Sequence, residues 1–118
     1  MGEDFSFSKH ARLLNSAAFK KVLRKGRRFG RNPFFVLYWH AHGLPESRLG
    51  VTVSRKVGSA VIRNRVKRAI REFFRTHRHR FKQDGDCVII ARPRAGQVTS
   101  AQLRSQLDRV LAKNMSAT

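Results

Sequence analysis

Between Val57 and Arg80 the chain reads VGSAVIRNRVKRAIREFFRTHRHR, and its spacing admits one regular structure. Ile62, Val66, Ala69, Ile70, Phe73 and His77 recur at steps of three or four, which makes a single buried stripe along a helix. Ser59, just after Gly58, is placed to cap its N-terminus. At about 100° per residue, Asn64, Lys67, Arg68, Arg71, Arg75 and Arg78 fall opposite the stripe, and Arg63 and Arg65 flank it. Glu72 is the only acid between Arg63 and Arg80. A helix that merely faces water alternates its charges for i,i+4 support. This one offers guanidinium forks to a ligand outside the chain, and phosphate matches them bidentately.

The rest of the chain carries the same sign. Lys and Arg number 26 against 7 acids, a formal charge of +19 on 118 residues. That length fits one compact domain spanning residues 1–118, with frayed ends at about 1–8 and 113–118. Charge of this density repels itself, so a polyanion is the expected partner, and nucleic acid is the usual one. An anionic membrane is the competing surface, but no run reaches the ~18 apolar residues of a spanning helix, and no signal segment opens the chain. The single cysteine, Cys87, excludes an internal disulfide framework and a multi-cysteine zinc module. It lies in the apolar run Cys87-Val88-Ile89-Ile90-Ala91 and reads as a buried small hydrophobe in a reducing, cytoplasmic setting.

Patterning predicts the order helix, strand, strand, helix, strand, helix. Ser16 caps a short first helix with Phe19, Val22 and Leu23 on one face and Gly26 at its stop. Phe34 to His40 is aromatic and β-branched; alternation puts Phe35, Leu37 and Trp39 on one face and Phe34, Val36, Tyr38 and His40 on the other. In Arg48 to Ser54, Leu49, Val51 and Val53 face one way and Gly50, Thr52 and Ser54 the other. The short connection between these two strands predicts an antiparallel hairpin. After the basic helix come the strand Cys87 to Ala91 and a last helix, opened by a Thr99–Gln102 capping box and carrying Leu103, Leu107, Val110 and Leu111. The expected class is α+β, a sandwich of a small mixed sheet and covering helices.

The residues offer little for catalysis by the protein itself. The acids are Glu3, Asp4, Glu46, Glu72, Asp84, Asp86 and Asp108, and only Glu3/Asp4 and Asp84/Asp86 are near each other in sequence. Neither pair makes a metal site. A histidine-based nuclease is the better enzymatic alternative, with His10, His40, His42, His77 and His79 available. His40 and His42 share a strand face but lack a third ligand. His77 closes the buried stripe and His79 joins the basic tail. No catalytic or metal-binding residue is therefore assigned.

Ser54-Arg55-Lys56-Val57-Gly58, followed by Val61-Ile62-Arg63-Asn64-Arg65-Val66-Lys67-Arg68, closely resembles the signature of the bacterial ribonuclease P protein family. The resemblance extends to Phe19 with Lys25-Gly26-Arg27-Arg28, to Phe35-Val36-Leu37-Tyr38, to Leu49-Gly50-Val51 and to Val88-Ile89-Ile90-Ala91, in the family's order. It implies a sandwich related to domain 2 of ribosomal protein S5, with a left-handed strand–helix–strand crossover. It implies a protein subunit that binds the catalytic RNA of ribonuclease P and precursor tRNA, assisting removal of the 5′ leader. It implies, too, that the RNA carries the chemistry with its own Mg²⁺. By match, Arg55, Lys56, Arg63, Asn64, Arg65, Lys67, Arg68 and Arg71 contact that RNA. The resemblance also implies a cleft for the single-stranded leader, with Phe19, Lys20, Leu23, Phe35, Leu37 and Tyr38 as its candidates, where aromatics interleaved with cations suit unpaired bases. Many relatives carry an aromatic a turn after Phe19, where this chain has Leu23. A monomer bound one-to-one to the RNA is expected, with no DNA or membrane partner. The alternatives are a ribosomal or other structural RNA-binding protein and, more remotely, a helix-turn-helix DNA binder.

Overall fold

The computed structural model describes residues 16–41, 48–77 and 85–114, with the backbone alone for Ser16, Phe29, Ala112, Lys113 and Asn114. His10, His42, His79, Arg78, Arg80, Glu3, Asp4, Glu46 and Asp84 lie outside the described residues, as do almost all of the expected frayed ends.

Helix α1 (Ser16–Lys25) leads into strands β1 (Arg27–Arg31), β2 (Phe35–Ala41) and β3 (Arg48–Thr52). Helix α2 (Ala60–Thr76), strand β4 (Gly85–Ala91) and helix α3 (Ser100–Asn114) follow. The four strands form one mixed sheet in the order β1-β2-β4-β3. Strand β2 is antiparallel to β1 and β4, and β3 is parallel to β4.

This arrangement corrects the expected hairpin, because β2 and β3 do not pair. The reason lies in β4, whose residues Gly85 to Ile89 are all buried. A strand that is apolar on both faces belongs in the middle of a sheet, so β4 inserts between the two strands that precede it. The antiparallel partner β2 gains instead is β1, a strand that sequence patterning missed. Arg27–Arg31 is charged and lacks alternation, and its register with β2 shifts between Arg28 and Gly30.

The register separates the two faces of the sheet. Phe35, Leu37, Leu49, Cys87, Ile89 and Ala91 point into one core, where they meet Val66, Ala69, Ile70, Phe73 and Phe74 of α2 and Leu103, Leu107, Val110 and Leu111 of α3. Each large side chain buried there contributes about 1.5–3 kcal/mol relative to exposure. The opposite face carries Val36, Tyr38, Val88 and Ile90. Helix α1 lies across part of it, packed on β2 and β4 through the fully buried Val22.

Local chemistry sets the boundaries of the elements. Ser59 Oγ accepts the Ile62 amide at 3.4 Å and caps α2. Gly58, at φ 153°, makes the turn before it, a conformation open to glycine but not to side-chain-bearing residues. Thr99 and Gln102 form the expected capping box, with amide-to-side-chain distances of 2.8 and 3.1 Å. At Gly26, a Cβ would sit 2.4 Å from the Val22 carbonyl and 2.7 Å from that of Trp39, so only glycine lets α1 turn directly into β1.

Candidate nucleic-acid interface

The outward side of α2 presents Asn64, Arg68 and Arg71 to solvent, with Lys67 half-buried beside them. The two flanking arginines behave differently. Arg63 Nε donates to the Gly58 carbonyl at 3.2 Å, which ties the helix to its own entry turn. Arg65 reaches across to the segment before α3, donating to the carbonyls of Val98 at 2.8 Å and Gly96 at 3.3 Å. Arg75 pairs with Glu72 within the helix. The outward charge of α2 is thus centred on Lys67, Arg68 and Arg71, a narrower set than the sequence predicts.

A second group of cations gathers at one end of the sheet. The 3-10 turn Arg55–Val57 follows β3, anchored by buried Val57 and by Ser54 Oγ, which accepts the Lys56 amide at 3.3 Å. Arg55 and Lys56 project from it into solvent. Beside it the 3-10 turn Pro93–Gln97 follows β4, anchored by buried Ala95. The β1–β2 turn adjoins it, since Phe35 pairs with Ala91, and Asn32 Oδ1 holds that turn by accepting the Phe34 and Phe35 amides at 2.8 and 2.9 Å. A shallow pocket between the last two turns is lined by Arg31, Asn32, Pro33, Arg92, Pro93 and Arg94. Sequence reasoning assigned Arg55 and Lys56 and missed Arg31, Arg92 and Arg94. Arg92 and Arg94 share one segment, but Arg31 is some sixty residues away, and only the pairing of β2 with β4 brings it to them.

Acids are few beside so many cations. Among the described residues they are Glu72, Asp86 and Asp108. Asp86 sits at the start of β4, roughly 16 Å along the strand from Ala91 at about 3.3 Å per residue, and it is paired with Arg48. Glu72 is paired with Arg75. Asp108 lies on α3. Among the described residues no carboxylate lines the pocket at Arg31, Arg92 and Arg94, so these cations present positive potential to an external anion.

The cleft residues divide between the two faces of the sheet. Tyr38 is half-buried on the α1 side, next to Val36 and Ile90. Phe19 of α1 is half-buried, and Lys20 and Leu23 are exposed. Phe35 and Leu37 are fully buried on the opposite face, in the core under α2 and α3. Their assignment to the cleft is corrected, because strand alternation turns them away from Tyr38. Val36 and Ile90 occupy the places given to them, with exposed Arg28 and Arg31 on the adjoining strand, opposite Tyr38 and Val36. The surface is a half-apolar floor edged by cations, which suits stacked, unpaired bases with a phosphate backbone.

The other candidates that fall within the described residues have structural settings. Among the described residues no three of His, Cys, Asp and Glu converge where a metal ion could sit. His77 stacks on Phe73 with ring centroids 4.0 Å apart, and its Nδ1 lies 2.9 Å from the Phe73 carbonyl, so it ends the helix's buried stripe. His40 stands opposite Asp86 in the ladder. Burial pushes the Cys87 thiol far above its usual range, and Asp86 adds to the effect, so it stays an uncharged hydrophobe. No helix among the described residues is long and apolar enough to cross a membrane.

Comparison with known proteins agrees with this arrangement. A family model described as Ribonuclease P matches residues 7–115. The ribonuclease P protein component of Bacillus pumilus is 36% identical over 106 residues, covering 90% of this chain and 89% of the relative. That of Desulfatibacillum aliphaticivorans is 41% identical over 104 residues, covering 88% and 87%. The solved structure of the Staphylococcus aureus RNase P protein superposes with a TM-score of 0.79 at 37% identity, over 88% of this chain and 96% of that one. The Thermotoga maritima RNase P protein gives 0.72 at 31% identity, over 80% and 89%. In motif order, sequence and fold alike, the chain belongs to the ribonuclease P protein family.

Proposed function

We propose that this chain, as the protein subunit of ribonuclease P, binds the catalytic RNA through the outer face of α2 and guides the 5′ leader of precursor tRNA through the cleft and over the basic rim. The observation that carries this reading is the junction of two surfaces. A half-apolar floor at Val36, Tyr38 and Ile90 runs to a sheet end bearing Arg31, Arg55, Lys56, Arg92 and Arg94, without a described carboxylate among them.

The two surfaces do different physical work. Lys67, Arg68 and Arg71 on the convex helix face suit the closely spaced phosphates of folded RNA. The cleft suits a single strand, whose bases stack on Phe19 and Tyr38 while its phosphates meet the rim. By screening phosphate repulsion between leader and catalytic RNA, the protein lowers the cation concentration needed to bring them together. The hydrolytic step belongs to the RNA and its Mg²⁺.

The test is reconstitution with the cognate catalytic RNA, scoring cleavage at the mature tRNA 5′ end across a Mg²⁺ titration at physiological salt. The protein is expected to lower the Mg²⁺ requirement and to favour precursors with a leader over mature tRNA. An unchanged Mg²⁺ requirement, or recovery of the protein only in ribosomal subunits, would overturn the reading.

A further inference from the structure

Arg65 belongs to the Arg63-Asn64-Arg65 run of α2, yet its guanidinium is directed at the protein's own backbone. Nη1 donates to the Val98 carbonyl at 2.8 Å and Nη2 to the Gly96 carbonyl at 3.3 Å. Both acceptors lie in the segment that joins β4 to α3, whose 3-10 turn carries Arg94 and follows directly on Arg92. Besides buried Ala95, the segment is tied at its start, where the Arg92 amide donates to the Phe34 carbonyl at 2.8 Å. Its Ala95 amide donates to the Arg92 carbonyl at 2.9 Å, and its N-cap, Arg92, makes no side-chain capping bond.

A second contact fixes the same segment from the other side. At Gly96 a Cβ would lie 2.1 Å from the Val57 carbonyl, so the chain there presses directly on the 3-10 turn bearing Arg55 and Lys56. The Gly96 backbone is thus held between Arg65 and Val57. A planar fork that donates along two parallel directions can hold two carbonyls at a set spacing, which a lysine ammonium cannot do as rigidly.

We infer that Arg65 is a positioning residue: it clamps the 93–98 segment so that Arg92 and Arg94 stand beside Arg55 and Lys56 as one phosphate-binding rim. The functional half of this inference rests on the rim's proposed role with the leader. The clamp itself is a property of the free protein. The energetic logic is preorganisation: mutually repelling guanidinium groups are held together before the RNA arrives, so that less ordering is left for binding to do.

The experiment has one arm without RNA and one with the holoenzyme. In the free protein, amide hydrogen exchange at Ala95 is expected to quicken about tenfold or more in Arg65→Ala, as befits loss of charge-assisted hydrogen bonds. Amides in the middle of α2 should be unchanged, and Arg65→Lys should restore only part of the protection. In the holoenzyme, Arg94→Ala is expected to weaken binding of leader-bearing precursor about three- to tenfold through the lost phosphate contact. Adding Arg65→Ala to Arg94→Ala should then cost less than Arg65→Ala costs alone, because its effect passes through the segment Arg94 occupies.

Unchanged Ala95 exchange would overturn the clamp. Full additivity of the two variants, with each lowering the salt slope by a similar step, would overturn positioning in favour of direct RNA contact by Arg65. If Ala95 exchange quickens but Arg94→Ala leaves precursor binding intact, the rim reading fails, and the functional half of the inference falls with it.

Discussion

Arg48 holds Asp86 in a two-pronged pair across the parallel β3–β4 ladder, with Nε on Oδ1 at 2.7 Å and Nη2 on Oδ2 at 2.9 Å. Asp86 is only 3% exposed, so the pair holds its carboxylate out of water. Arg48→Met is expected to cost about 2–4 kcal/mol in urea unfolding, because it removes the two-pronged partner of a buried charge. The value falls at the lower end because the Arg48 side chain keeps 26% of its surface in water. A loss below about 1 kcal/mol would class the pair with ordinary surface bridges.

Arg68 and Arg71 project from α2 into solvent. Replacing both with Ala should leave stability within about 0.5 kcal/mol. It should also flatten the salt dependence of RNA binding, since each lost phosphate contact lowers the log–log slope by about 0.7–0.9. Binding to the cognate catalytic RNA at a series of salt concentrations measures this directly. A slope matching the parent protein's would make these arginines bystanders.

Phe35 and Tyr38 are three positions apart on β2 but face opposite sides of the sheet, and their variants should separate fold from function. Phe35→Ala should destabilise the protein by about 3–5 kcal/mol and lower activity on all substrates in proportion to the unfolded fraction. Tyr38→Ala should chiefly weaken binding of precursors with a leader, by about 1–3 kcal/mol for a lost stacking platform. Equal losses on leader-bearing and leaderless RNA would remove Tyr38 from the cleft.

Cys87 is wholly buried, and its thiol is held far above its usual range by that burial. The thiolate is the reactive form, so iodoacetamide at pH 8 should not modify the folded protein on the timescale on which it labels the urea-unfolded chain. Fast labelling under native conditions would show that β4 opens locally.

Sequence periodicity was a sound guide wherever one element faces one core. The α2 stripe through Val66, Ala69, Ile70 and Phe73 and the alternation of Leu49, Val51 and Val53 follow from local spacing alone. Phe74, also fully buried, was overlooked because α3 covers a second flank of α2, which no local pattern reveals. Strand order was not legible either, since the placement of β4 between β2 and β3 depends on contacts across tens of residues. For the site the same division holds. The α2 cations could be read from helical angle. The inward turn of Arg65, the loss of Phe35 and Leu37 from the cleft and the gain of Arg92 and Arg94 at the rim all depend on tertiary neighbours.

The central place of β4 also dictates an order of assembly. Its partners, β2 and β3, are complete by Ala41 and Thr52, but neither can satisfy its inner edge until Gly85–Ala91 has been made. During synthesis the nascent chain therefore carries two unpaired strand edges while α2 forms. Such non-local pairing slows closure and leaves edges open to wrong partners. The density of positive charge that later meets RNA has an earlier use at this stage, because chains that repel one another are slow to join edge to edge.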